Sequence, residues 1–254
     1  MKCIARRDML GLFTSVAGAA TMGLPLVGQS KKGDPVTGRK LRVVVAGAHP
    51  DDPEFGCGGT AALYADLSHE VVILYLTRGE AGIHGKSHEE AAAIRTDESQ
   101  KACKILKVRP MFAGQIDGST EINSTRYEEF RKILEAENPD IVFTHWPIDT
   151  HPDHRVTSLL VYDAWKNSDK KFALYYYEVV TGFETQHFYP TDYVDITATE
   201  ARRRAASFAH VSQRIDHWYP VQDLISQFRG NESGHKYSEA FVRHVQSSYA
   251  SLPR

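Results

Sequence analysis

The chain has 254 residues, 42% of them hydrophobic and 24% charged, with a formal net charge of −2. That length supports one substantial core, and the composition excludes a disordered, collagen-like or disulfide-rich protein. The near-neutral balance argues against a nucleic-acid or acidic-membrane surface, and three cysteines, Cys3, Cys57 and Cys103, are too few for a disulfide framework.

The first segment in chain order reads as a targeting signal. Met1–Arg7 is basic and carries the pair Arg6-Arg7, and Met9–Val27 is uncharged, small and moderately apolar, broken by Pro25. This layout predicts an export signal of the twin-arginine type over residues 1–28, and hence a periplasmic or extracellular protein. Gly11, Gly18 and Gly23 make the stretch a poor anchor, so no stable membrane insertion is expected once it is removed. Its removal takes away Lys2, Arg6, Arg7 and Asp8, which moves the net charge from −2 to −4. Residues 29–40, with Gly33, Pro35 and Gly38, predict a short linker. A single domain is expected over 41–254.

Within that domain, Leu41–Ala46 is a β-branched run that predicts a buried strand. A helix is predicted over Thr60–His69, a second buried strand over Val71–Thr77, and a long helix over Ser87–Leu106. Met111–Ala113 reads as a weaker strand. Ser124–Glu137 is helical by the spacing of Phe130, Ile133 and Leu134, and Asn138-Pro139 ends it. Ile141–Thr144 is the fourth strand, Val156–Trp165 a helix and Phe172–Val180 a further strand. From Glu200 onward the tail reads as helices interrupted by loops. Strands alternating with helices predict an α/β, Rossmann-like three-layer fold around a mostly parallel sheet. Ligands of such folds bind beyond the carboxyl ends of the strands.

Two polar clusters fall in that position. Ala48-His49-Pro50-Asp51-Asp52-Pro53-Glu54 follows the first strand, and Asp149-Thr150-His151-Pro152-Asp153-His154 follows the fourth. Zinc binds imidazole nitrogen and carboxylate oxygen, with three protein ligands plus water at catalytic sites. Either cluster alone is ordinary loop polarity. Two at the ends of neighbouring buried strands point to a metal site. Gly56-Cys57-Gly58-Gly59 is no dinucleotide fingerprint, because G-x-G-x-x-G is absent.

The AHPDD motif with the later HPDH resembles the LmbE-like (PIG-L-like) zinc N-deacetylases. Thr77-Arg78-Gly79-Glu80, Arg95-Thr96-Asp97-Glu98, His210-Val211-Ser212-Gln213 and the tail from Gly234 to Tyr237 with Glu239 and Phe241 extend the resemblance over about residues 41–245. Pro53 departs from it, since many members carry an acidic residue directly after the two aspartates. The resemblance implies one zinc ion per chain, held by His49, Asp52 and His154. It makes Asp51 the general base, His151 the electrostatic stabiliser or acid and Asp153 the partner that orients His151; a protonated His151 would stabilise the oxyanion, and either Asp51 or His151 would protonate the leaving amine. It implies a hydrolase that removes an acetyl group from an N-acetylated amino sugar or sugar conjugate, with Arg95 and His210 as candidate substrate residues. Glu80, by its place after the second strand, and Trp146, whose ring can stack on a sugar, are further candidates. The rivals are a zinc amidase acting on a non-sugar amide and a catalytically silent sugar-binding protein. Retention of Asp51 and His151 argues against the silent binder, because binding alone needs no general base.

Overall fold

The computed structural model describes residues 39–169, 171–248, 250 and 252–253. The expected export signal and all of the expected linker except residues 39 and 40 lie outside them. Among the described residues no helix is long and apolar enough to cross a membrane.

The sheet is built outward from its centre. Strand β1 (Arg42–Gly47) is buried from Val43 onward and pairs in parallel with β2 (Glu70–Tyr75) on one side and β4 (Ile141–His145) on the other. β3 (Arg109–Phe112) extends the β2 side, and β5 (Ala173–Tyr177) extends the β4 side, both parallel. Near-continuous Val/Ile/Leu runs suit these strands because helices cover both faces. The chain thus runs β1, β2, β3 in one direction and returns to place β4 against β1. The order reverses between β1 and β4, so the loops leaving those two strands face each other across a crevice. This is the topological switch point at which open α/β sheets bind ligands.

The alternating strand residues divide the core in two. Val43, Val45, Ile73, Tyr75, Phe143, Tyr175 and Tyr177 pack under α1 (Asp52–Asp66), α2 (His88–Leu106), α5 (Glu200–Ser207) and α6 (Ile215–Ser233). Val44, Ala46, Val72, Leu74, Val142 and Leu174 pack under α3 (Ser124–Glu137) and α4 (Pro152–Asn167). The expected three-layer α/β architecture is therefore present.

Two differences from the sequence expectation have physical causes. Helix α1 begins at Asp52, eight residues before the predicted Thr60. Gly56, Gly58 and Gly59 lower helix propensity, yet a Cβ at Gly56 would collide with Tyr177 and one at Gly59 with Ile196. Close packing holds the helix where local preference does not. The tail is not wholly helical either. β7 (Ser238–Arg243) joins the edge of β5 antiparallel, and β6 (Asp192–Asp195) pairs antiparallel with β7. Glu239 within β7 is a charged residue in a buried strand; its carboxylate accepts the Gly59 and Thr60 N–H groups at 2.7 and 2.8 Å.

Candidate metal and catalytic site

Both clusters sit in the crevice at the switch point. The chain leaves β1 through Ala48, His49 and Pro50, and α1 starts at Asp52 with Pro53 in its first turn. Asp51 caps that helix at φ 124°, a strained backbone for a residue with a Cβ, of the kind that persists where function requires it. From β4 the chain passes through His145 and Asp149 to His151, the residue that caps α4.

The Asp52 carboxylate is the focus. Its Oδ2 lies 3.2 Å from His49 Nδ1 and 3.3 Å from both His154 Nε2 and His145 Nε2. The far nitrogens of two of these rings meet further carboxylates. His49 Nε2 is 3.1 Å from Asp117 and 3.2 Å from Asp153, and His154 Nδ1 is 3.2 Å from Asp149. Metal-binding histidines characteristically donate their second ring nitrogen to a carboxylate, which fixes the ring and raises its basicity. His145 differs, because its Nε2 already accepts the Ala48 N–H at 3.0 Å. Convergent ligand atoms form three overlapping groups: His49, His151 and His154; Asp52, His145 and His154; and His49, Asp117 and Asp153.

The electrostatics favour positive charge at the cluster. Burial opposes charge throughout the cluster, yet Asp117, Asp153 and Asp52 hold His49 well above its ordinary pKa. Likewise His154, despite burial, is pushed up to about 10 by Asp52 and Asp149. Burial and His154 bring His145 down to about 4. The carboxylates thus draw positive charge into the crevice, and a divalent ion among neutral imidazoles answers the same demand. Nitrogen and carboxylate donors at these positions fit zinc.

Beside the focus stands Asp51. Burial pushes its carboxyl up to about 6, against the pull of Arg95, whose Nη2 lies 3.2 Å from Asp51 Oδ2. Arg95 also donates to the Pro50 carbonyl and is itself buried. It reaches that place past Gly79 and Gly82, where a Cβ would run into its guanidinium.

His151 lines the cavity, but its expected charge and partner change. Its Nδ1 accepts the Asp153 backbone N–H at 3.3 Å, which leaves the proton of a neutral ring on Nε2. Burial, with His49 and His154 nearby, lowers its pKa and favours that neutral form. The Asp153 carboxylate does not reach His151. It is taken by the Gly118 N–H, the Thr120 hydroxyl and His49.

Of the four candidate substrate residues, only Arg95 lines the cavity. Glu80 accepts the Asp117 N–H and positions that loop. Trp146 packs edge-on against Tyr176 and Phe188 and donates to the Gln186 carbonyl. His210 is fully buried, 3.3 Å from Glu54. Sequence reasoning assigned no role to Asp117, Asp149, Glu184 or Trp218. Asp149 stood inside the second cluster; the others come from separate loops and helices and carry no local signal.

The chain is similar to known proteins. The model of the GlcNAc-PI de-N-acetylase family, PIG-L, matches residues 44–165. The diacetylchitobiose deacetylase of Thermococcus kodakarensis is 32% identical over 218 residues, which cover 78% of this chain and 81% of the relative. The chain belongs to the PIG-L family. A solved structure of N,N'-diacetylchitobiose deacetylase from Pyrococcus horikoshii, in complex with its inhibitor MPG, matches with a TM-score of 0.72 and 27% identity, over 80% of this chain and 84% of that one. The 4-carboxy-2-hydroxymuconate hydratase of Pseudomonas putida matches with a TM-score of 0.71 at 19% identity, over 83% and 98% of the two chains. The PIG-L fold therefore does not by itself decide the reaction.

Proposed function

We propose that this PIG-L chain is a zinc-dependent hydrolase that removes the acetyl group from an N-acetylated amino sugar or sugar conjugate. One observation carries the proposal: a carboxylate, Asp52, ringed by imidazole nitrogens at 3.2–3.3 Å, with a second carboxylate, Asp51, directly beside it in sequence and held by Arg95. The first arrangement suits a metal. The second has no use in metal binding and suits a base. The named activities of the deacetylase relatives supply the acetylated sugar.

His49 through Nδ1, Asp52 through Oδ2 and His154 through Nε2 would hold the zinc. When bound, zinc supplies a Lewis acid that acidifies water and polarises the amide carbonyl. Asp51 takes the proton from the water as its oxygen bonds to the acetyl carbon. The basicity that burial gives Asp51 favours this step. His151 donates from Nε2 to the carbonyl oxygen as negative charge builds there, and it does so as a neutral donor. Asp51 then returns the proton to the nitrogen, the C–N bond breaks, and acetic acid and a free amine leave. Arg95 keeps the Asp51 carboxylate in position through both transfers.

The test is Asp51→Asn, with acetate release and bound metal measured on the same preparation. Turnover should be abolished while zinc stays near one ion per chain. Surviving acetate release, or loss of the zinc, would show that Asp51 is not the base.

A further inference from the structure

The cavity above the cluster is larger than the reaction needs. It encloses about 700 Å³, whereas pockets for drug-sized ligands run from roughly 300 to 1,000 Å³. Its floor is the buried cluster around Asp52 and His154, and its mouth carries Trp218, which is 37% exposed. Trp218 projects from the first turn of α6. The ring meets Phe183 edge to face at 5.8 Å and His217 at 4.7 Å. Those edge contacts fix the indole without burying it.

The wall beside it is built with care for position. Val180 lines the cavity at φ 40°, a strained conformation for a β-branched residue. Its N–H donates to Gln222 on α6 at 3.0 Å. Five residues on, the Thr185 hydroxyl donates to Asp149 at 3.0 Å, and Asp149 is the residue behind His154. One short segment is thus tied both to the helix that carries Trp218 and to the metal cluster. Between those ties stand Phe183 and Glu184. The Glu184 carboxyl lines the cavity and has no hydrogen-bond or ion-pair partner among the described residues, and the same is true of the Arg214 guanidinium at the start of α6.

An aromatic face flanked by one unpartnered carboxyl and one unpartnered guanidinium selects among ligands. A pyranose ring offers an apolar C–H face for the indole and a rim of hydroxyls for the two polar groups. A purely apolar group would cover Glu184 and Arg214 without replacing their water, which is costly. Burial, with the carboxylates of Asp52, Asp149 and Asp51 nearby, pushes the Glu184 carboxyl up to about 7, and an anionic group would meet those same carboxylates. We propose that Trp218, backed by Phe183 and flanked by Glu184 and Arg214, forms a subsite for a second, neutral sugar ring. The acetylated sugar lies at the cluster and its neighbour in the chain lies on Trp218, so the substrates are oligosaccharides of two rings or more. This rests on the reading of the site as an amino-sugar deacetylase.

The experiment compares kcat/KM of the zinc-loaded enzyme on N,N'-diacetylchitobiose and on N-acetylglucosamine. The wild type should favour the disaccharide. Trp218→Ala should cut that preference by about tenfold, the size of an aromatic stacking contact, and Trp218→Phe should keep most of it. Equal wild-type rates on the two sugars, or an equal loss on both in Trp218→Ala, would overturn the subsite. Binding decides the matter independently of turnover. Calorimetry on the Asp51→Asn enzyme should find diacetylchitobiose bound about tenfold more weakly when Trp218→Ala is added, and an unaltered affinity would also overturn the subsite. A wild type that deacetylates neither sugar would remove the amino-sugar reading, while the calorimetry would still rule on Trp218.

Discussion

Asp149 stands to His154 as Asp117 and Asp153 stand to His49. Each carboxylate meets the ring nitrogen that points away from Asp52. Such a partner fixes the tautomer and aims the other lone pair at the ion. Asp149 is further held by the His151 N–H at 2.8 Å and the Thr185 hydroxyl at 3.0 Å, so its own position is set by two loops. Asp149→Asn keeps the shape and the acceptor oxygen but removes the charge. Zinc affinity, measured by competition with a chromophoric chelator, should fall by about 10- to 100-fold. An unchanged affinity would mean that the Asp149–His154 contact does not serve the metal. At this scale the sequence was informative where chemistry is contiguous. His49, Asp51, Asp52, His151 and His154 lie in two short stretches of sequence that follow β1 and β4, and strand-end placement brought them together. Asp153 marked the limit. The family resemblance paired it with His151, but the start of α4 offers His151 only the Asp153 backbone N–H, and the carboxylate turns toward Gly118, Thr120 and His49.

The elements position these residues through close approach. Gly79 follows β2 at φ +72°, and a Cβ there would collide with the Arg95 side chain that α2 sends beneath it. Arg95 in turn holds Asp51. Gly79→Ala should therefore act twice. The left-handed backbone costs an L-residue about 1–2 kcal/mol, to be read from denaturant unfolding. Displacement of Arg95 should lower acetate release well beyond what that loss of stability explains at 25 °C, with zinc content retained. Full activity in Gly79→Ala would detach Arg95 from the position of the base. Strands buried on both faces were legible in the sequence: β1, β2 and β4 were read to within two residues at each end. So was the amphipathic α3, which buries only Phe130 and Leu134 and was read in full. What escaped was structure made by tertiary contact. The glycines of α1 argue locally against a helix, and β7 hides a charged residue whose partners, Gly59 and Thr60, lie far away in the chain.

For the whole molecule the crevice is a site of stored electrostatic cost. Asp52, Asp117, Asp149 and Asp153 are all buried, together with His49, His145 and His154, where β1 meets β4. These residues come from α1, β4, α4 and the loops after β1, β3 and β4, so a cation bound among them ties both halves of the sheet together. An ion that binds the folded chain and not the unfolded one adds stability that grows with its free concentration. At a hundredfold excess over Kd the gain is about 2.7 kcal/mol. For a domain of this size each kcal/mol moves Tm by about 2–4 °C. Stripping the metal with a chelator should therefore lower Tm by about 5–11 °C, and adding zinc back should restore it. Asp52→Asn removes the charge of the carboxylate on which three imidazoles converge. In that variant the Tm should no longer respond to zinc, whatever the substitution does to the metal-free protein. A wild-type Tm indifferent to chelation would instead mean that the imidazolium–carboxylate pairs satisfy the crevice unaided, and that the cluster is structural and not a metal site.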